Sequence, residues 1–113
     1  MVKQIKNQEE FQKEIIGSDK LCIVDFFATW CEPCNKLAPV VGAVSEIEDF
    51  REIVNFYKVD IDGNEGLAIK YQVEVVPTLV FFKNGNVIKT EAGYRSKEEL
   101  EEVIKKEVYK RVS

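Results

Sequence analysis

Histidine is absent from this chain, and only three cysteines, three prolines, one tryptophan and one methionine occur in it. Without imidazole there is no Ser-His-Asp or Cys-His nucleophile, nor a zinc site that draws on histidine. Acid–base chemistry is left to carboxylates, lysine, tyrosine or the thiols themselves. Three cysteines are also too few for a secreted disulfide scaffold. No apolar run approaches the length of a membrane span, so no membrane partner is expected. Met1 to Asn7 lacks the apolar segment and small-residue cleavage site of a signal peptide, and a cytoplasmic location follows as an expectation. A basic excess is missing too: 16 Lys and Arg face 20 Asp and Glu, for a net charge of −4. Nothing there predicts binding to nucleic acid. The densest basic cluster, Lys105, Lys106, Lys110 and Arg111, reads as a solvated face that complements the dipole of a C-terminal helix. Abundant Lys, Glu, Ile and Val beside a single Met lean towards thermostability.

Neither a linker nor a repeat divides the 113 residues, which suits one domain over 1–113 with a modest core. Val2 to Ile5 reads as a short strand. Asn7 and Glu10 have capping-box spacing, with Phe11, Ile15 and Ile16 following at helical intervals until Gly17-Ser18. Leu21 to Ala28 is almost wholly apolar, as in a central strand covered on both faces. A helix is expected from Cys31 towards Phe50, kinked at Pro39. Val54 to Asp60 is a further strand, and a short helix carries Leu67, Ala68 and Tyr71. Thr78 to Phe82 and Val87 to Ala92 flank Asn84-Gly85, a signature of a type I′ hairpin turn. Ser96 and Glu99 form a second capping box before a helix with Leu100, Val103, Ile104 and Val108 on one face. The order βαβαβαββα predicts an α/β fold: a central mixed sheet with helices on both faces.

Trp30-Cys31-Glu32-Pro33-Cys34 stands where the buried strand gives way to the helix. A Cys-x-x-Cys at such a junction reads as a redox pair, because the helix N-terminus favours a thiolate and places a second sulfur within reach. The other use of paired cysteines is half of a zinc site, which needs four ligands. One spare thiol, Cys22, lies among apolar strand residues and reads as buried and inert. Asp25 interrupts the central strand, where ionising a carboxylate is costly and its pKa should rise. It is either a proton carrier or a tolerated polar residue with a structural partner.

These residues, together with Ala38-Pro39, Val76-Pro77-Thr78, Lys83-Asn84-Gly85 and Ala92-Gly93, resemble the thioredoxin family in order and spacing over nearly the whole chain. The resemblance implies a thioredoxin fold and a thiol–disulfide oxidoreductase that reduces protein disulfides. It implies that Cys31 faces solvent as the nucleophile and that Cys34, more buried, resolves the mixed disulfide. Asp25 would relay the proton, with Lys58 as the buried lysine beside it. Pro77 would be cis, presenting the Val76 backbone to an extended substrate, and Gly93 would keep the neighbouring groove open. Trp30 would shield the cysteines and contact substrate. No metal or organic cofactor is implied, only the Cys31–Cys34 disulfide, with electrons from NADPH through a thioredoxin reductase. Disulfide-containing proteins and that reductase would be the partners of a monomer.

Some positions depart from the family pattern. Glu32 replaces a common glycine, Asn35 stands where lysine is common, and Phe27 where tryptophan is frequent. Glu32 and Pro33, between the cysteines, are expected to tune the couple. A carboxylate beside Cys31 opposes its thiolate, which would make the pair somewhat more reducing. A disulfide isomerase or oxidase on the same fold, or a non-catalytic interaction module, are the other functions such a chain could have.

Overall fold

The computed structural model describes residues 1–110. Arg111 of the basic cluster lies outside the described residues. Five strands form one sheet: β1 (Val2–Ile5), β2 (Leu21–Phe27), β3 (Val54–Asp60), β4 (Thr78–Lys83) and β5 (Asn86–Ala92). Their spatial order is β1-β3-β2-β4-β5. β1 and β2 pair parallel to β3, whereas β4 runs antiparallel to β2 and β5 antiparallel to β4. The expected mixed sheet is therefore present, with β2 at its centre.

Alternation along β2 builds a core on each face. Leu21 and Ile23 join Leu37, Val41 and Val44 of helix α2 (Glu32–Ser45) and Leu100 and Ile104 of α5 (Lys97–Tyr109). Cys22, Val24 and Phe26 point the other way. They meet Phe11 of α1 (Gln8–Phe11), Leu67 of α4 (Glu65–Lys70) and Val80 and Phe82 of β4. Phe11, Tyr71 and Phe82 pack there ring to ring, with centroids 5.0 to 5.5 Å apart. By the same alternation Asp25 falls on the α2 side of the sheet.

Two helices differ from expectation. The first is regular only over Gln8–Phe11 and widens into a π-turn over Gln12–Ile16, closed by Gly17 N–H on Gln12 O at 3.1 Å. The helix expected from Cys31 to Phe50 stops at Ser45, and α3 (Glu48–Arg51) is separate. Ser45 Oγ donates back to Gly42 O at 2.7 Å, a local bond that competes with the helical ladder. Ile47 then turns extended, at φ −65° and ψ 127°, and packs on the α2-side core. Pro39 sits inside α2 without ending it.

The local signals at the other ends take their expected forms. Asn84 and Gly85 adopt φ of 52° and 79°, the positive pair of a type I′ turn. Gly85 also approaches Ile16 closely: a Cβ there would lie 3.1 Å from Ile16 O. Ser96 and Glu99 exchange both bonds of a capping box.

Candidate active site

β2 ends at Phe27, and the chain turns through Ala28 to Trp30 into α2. Cys31 is the N-cap of that helix. Its Sγ accepts the Cys34 N–H at 3.2 Å, so a backbone donor at the positive end of the helix is aimed at this sulfur. Cys31 and Cys34 form a disulfide, with Cα atoms 5.2 Å apart. The geometry explains how one pair serves two states: the N–H and dipole that hold the sulfur in the disulfide favour its thiolate once reduced.

Cys31 is less open than expected. It is 5% exposed, against 2% for Cys34, and both pack with Ala28, Phe27 and Val76. The sulfur lies 3.5 Å from Val76 O, so the segment before β4 covers it. The Val76–Pro77 peptide is cis. Gly93 N–H donates to Pro77 O at 2.8 Å, tying the end of β5 to this segment. At Gly93 the backbone, not space, demands glycine. Its φ is +91°, while a Cβ would come no nearer than 3.7 Å to Arg95.

Trp30 is 69% exposed, so it is no core residue. Its indole N–H donates to Asp62 Oδ2 at 2.7 Å. Asp62 belongs to the short 3₁₀ turn Ile61–Gly63, whose N-cap Asp60 accepts the Asp62 N–H at 2.9 Å. The sequence offers no sign of this contact, since nothing local links positions 32 residues apart. Tyr94, which the sequence did not single out, is 45% exposed and lines a shallow depression with Glu32, Pro33 and Lys36. Glu32 itself points to solvent and pairs loosely with Lys36, at 3.9 Å.

Asp25 is 4% exposed and Oδ1 has no hydrogen-bond partner. Burial pushes its pKa from 3.8 up to about 7, and the nearby positive charge of Lys58 opposes the rise. Lys58 lies opposite Asp25 in the β2–β3 register. It is half-buried, with its ammonium 5.6 Å from the centre of the Phe27 ring. Cys22 lies on the other face of the sheet, its thiol 3.6 Å from Lys20 O and its pKa raised by burial. Among the described residues no cluster of His, Cys, Asp or Glu could hold a metal ion. No helix among them is long and apolar enough to cross a membrane.

Known proteins share this arrangement. The family model Thioredoxin matches residues 2–106. A thioredoxin of Listeria monocytogenes is 43% identical over 108 residues, covering 96% of this chain and all of that protein. Thioredoxin-2 of Saccharomyces cerevisiae is 41% identical over 93 residues, 82% of this chain and 86% of its own length. The crystal structure of Malassezia sympodialis thioredoxin superposes with a TM-score of 0.86 at 36% identity, over 94% of this chain and 90% of that one. A disulfide at the start of α2, on this sheet and with these relatives, makes the protein a dithiol–disulfide oxidoreductase, and the chain belongs to the thioredoxin family.

Proposed function

We propose that the reduced protein cleaves disulfides of other proteins by the following division of labour. The Cys31 thiolate attacks one sulfur of the target disulfide; the target's other sulfur leaves as a thiolate and takes a proton from solvent. Cys34 then gives its proton to the Asp25 carboxylate and attacks Cys31. The Cys31–Cys34 bond forms, the second substrate thiolate leaves, and two electrons have passed to the substrate. The observation that carries this reading is the Cys34 N–H aimed at Cys31 Sγ at the start of α2. Asp25, buried on the α2 side of the sheet, supplies a carboxyl whose pKa lies where it can both accept and release a proton.

Substrate lies in extended form along Val76, whose carbonyl approaches the sulfur, and Gly93, tied to the same segment through Pro77, with Trp30 and Tyr94 as apolar borders. Lys58 holds the Asp25 pKa below what burial alone would set. Glu32 and Pro33 tune the couple. The protein works as a monomer of one domain over 1–113 in the cytoplasm. It needs no bound cofactor and is returned to the dithiol by a thioredoxin reductase drawing on NADPH.

The test is turnover of insulin disulfides with NADPH and a reductase. Wild type should be active, Cys31→Ser inactive, and Cys34→Ser should accumulate a mixed disulfide on Cys31. A mixed disulfide trapped on Cys34 instead would reverse the assignment. A strongly oxidising potential would turn the reading towards an oxidase or isomerase.

A further inference from the structure

Docking creates a difficulty for a buried proton carrier. A protein disulfide seated over Cys31, Val76 and Gly93 covers the face through which the cysteines meet solvent. A proton taken from Cys34 must nevertheless leave Asp25 before the next cycle.

The structure holds a second way out. Asp25 contributes to an open cleft of about 290 Å³ on the flank of α2, lined also by Val2, Lys58, Ala38, Gly42 and Ser45. Cys31, Trp30, Val76 and Gly93 take no part in it. Its volume is about ten times the roughly 30 Å³ that one water takes up in the liquid, and polar groups of Asp25, Ser45 and Lys58 line it. Ala38, Gly42 and Ser45 follow Cys34 at every third or fourth residue, so they continue the stripe of α2 that Cys34 begins. Small side chains on that stripe leave the space open. A Cβ on Gly42 would meet no atom within 4 Å. Oδ1 of Asp25 is buried and has no hydrogen-bond partner. Two other sets of charged groups border the cleft. Lys58 faces Asp25 from β3, and Glu46, just past α2, pairs with the Met1 amine at the rim.

We propose that this cleft is the proton exit of Asp25, passing the proton received from Cys34 to solvent along the flank of α2 while substrate still covers the cysteines. The proposal rests on the reading of Asp25 as the relay. In the step itself Cys34 loses its proton to Asp25 and its sulfur bonds to Cys31 as the substrate thiolate departs. The carboxyl then releases the proton to water in the cleft and returns to the carboxylate. Gly42 and Ala38 are positioning residues, acting only by the space they leave.

Two variants close the cleft from different sides: Gly42→Leu in its wall and Ala38→Leu on its exposed rim. Leucine favours a helix more than glycine does and about as well as alanine, so α2 should form in both. Gly42→Ala is the open control. Resolution of a mixed disulfide is followed by stopped flow across neutral pH, and Asp25 is titrated by carbon NMR. Both leucine variants should slow resolution near pH 7, on the order of tenfold, and move the Asp25 titration upward. Attack of Cys31 on a small aromatic disulfide should keep its wild-type rate, and Gly42→Ala should match wild type throughout. In an Asp25→Asn background the leucine substitutions should change nothing further. Wild-type resolution and an unmoved Asp25 titration in both leucine variants would overturn the exit. So would equal slowing with and without Asp25. If Asp25→Asn alone resolves at the wild-type rate, the relay reading itself has failed.

Discussion

Asp25→Asn should stabilise the oxidised protein above neutral pH and destabilise it in acid. The unfolded chain releases this proton near pH 3.8, whereas the folded protein holds it until about pH 7. Between those values the folded state binds more protons, so stability falls as pH rises and then levels off. A shift from 3.8 to about 7 corresponds to about 4 kcal/mol at roughly 1.4 kcal/mol per unit. Asparagine does not recover all of it, because Oδ1 has no partner and an unpaired buried amide costs about 1–3 kcal/mol. A net gain of about 2 kcal/mol near pH 8 is expected, or about 8 °C in Tm. Towards pH 3 the aspartic acid is neutral in both states, so the contribution of about 4 kcal/mol is gone and the unpaired amide should leave the variant about 2 kcal/mol less stable than wild type. Urea unfolding of both proteins from pH 3 to 9, followed by far-UV circular dichroism, measures this directly. A stability difference independent of pH, or no gain near pH 8, would refute the reasoning, since Asp25 would then ionise like a surface carboxylate.

Three further outcomes follow from particular contacts. Asp62→Ala removes the acceptor of the Trp30 indole, so Trp30 should become more mobile, seen as lower fluorescence anisotropy. The kcat/KM for a protein disulfide should fall about fivefold, the equivalent of about 1 kcal/mol of lost positioning. Glu32→Gly should raise the reduction potential by less than about 10 mV, and by less still in salt, because Glu32 is exposed and already near Lys36. Equilibration with glutathione at two ionic strengths measures it, and a drop in potential would reverse the sign assigned to Glu32. Ser96→Ala breaks the capping box of α5 and should cost about 1 kcal/mol in urea unfolding without altering the potential.

The parts of this molecule that sequence reveals are those written in short-range chemistry. The apolar run from Leu21, the Asn84-Gly85 turn and the Ser96–Glu99 box each state a local preference, and the structure keeps all of them. Cys31 at the head of a helix is readable for the same reason: the junction of strand and helix lies within a few residues of it. The failures come where tertiary contacts override a local pattern. Apolar spacing continues past Ser45 without interruption, but Ile47 reaches the core only if the helix stops first. Asp62 has no signature as a partner for Trp30, since the two meet only after β3 is laid beside β2. The exposure of Cys31 was overestimated because the cover comes from Val76, on a segment far along the chain.

Gly42 is a conflict of the same kind that packing does not resolve. Glycine inside a helix costs roughly 1 kcal/mol relative to alanine, so a structure that keeps one usually needs it. One need is a positive φ, and Gly42 is not among the glycines with one. Another is close approach of a neighbour, and here no atom would come within 4 Å of an added Cβ. Both ordinary reasons fail at this position. What glycine does supply there is open volume, on the stretch of α2 that borders Asp25 and Lys58. A side chain longer than alanine's would narrow the cleft that Asp25 lines. A run of small side chains at Ala38, Gly42 and Ser45 beside an unpartnered, buried carboxyl is the pattern expected where function, not stability, sets the size of the residues.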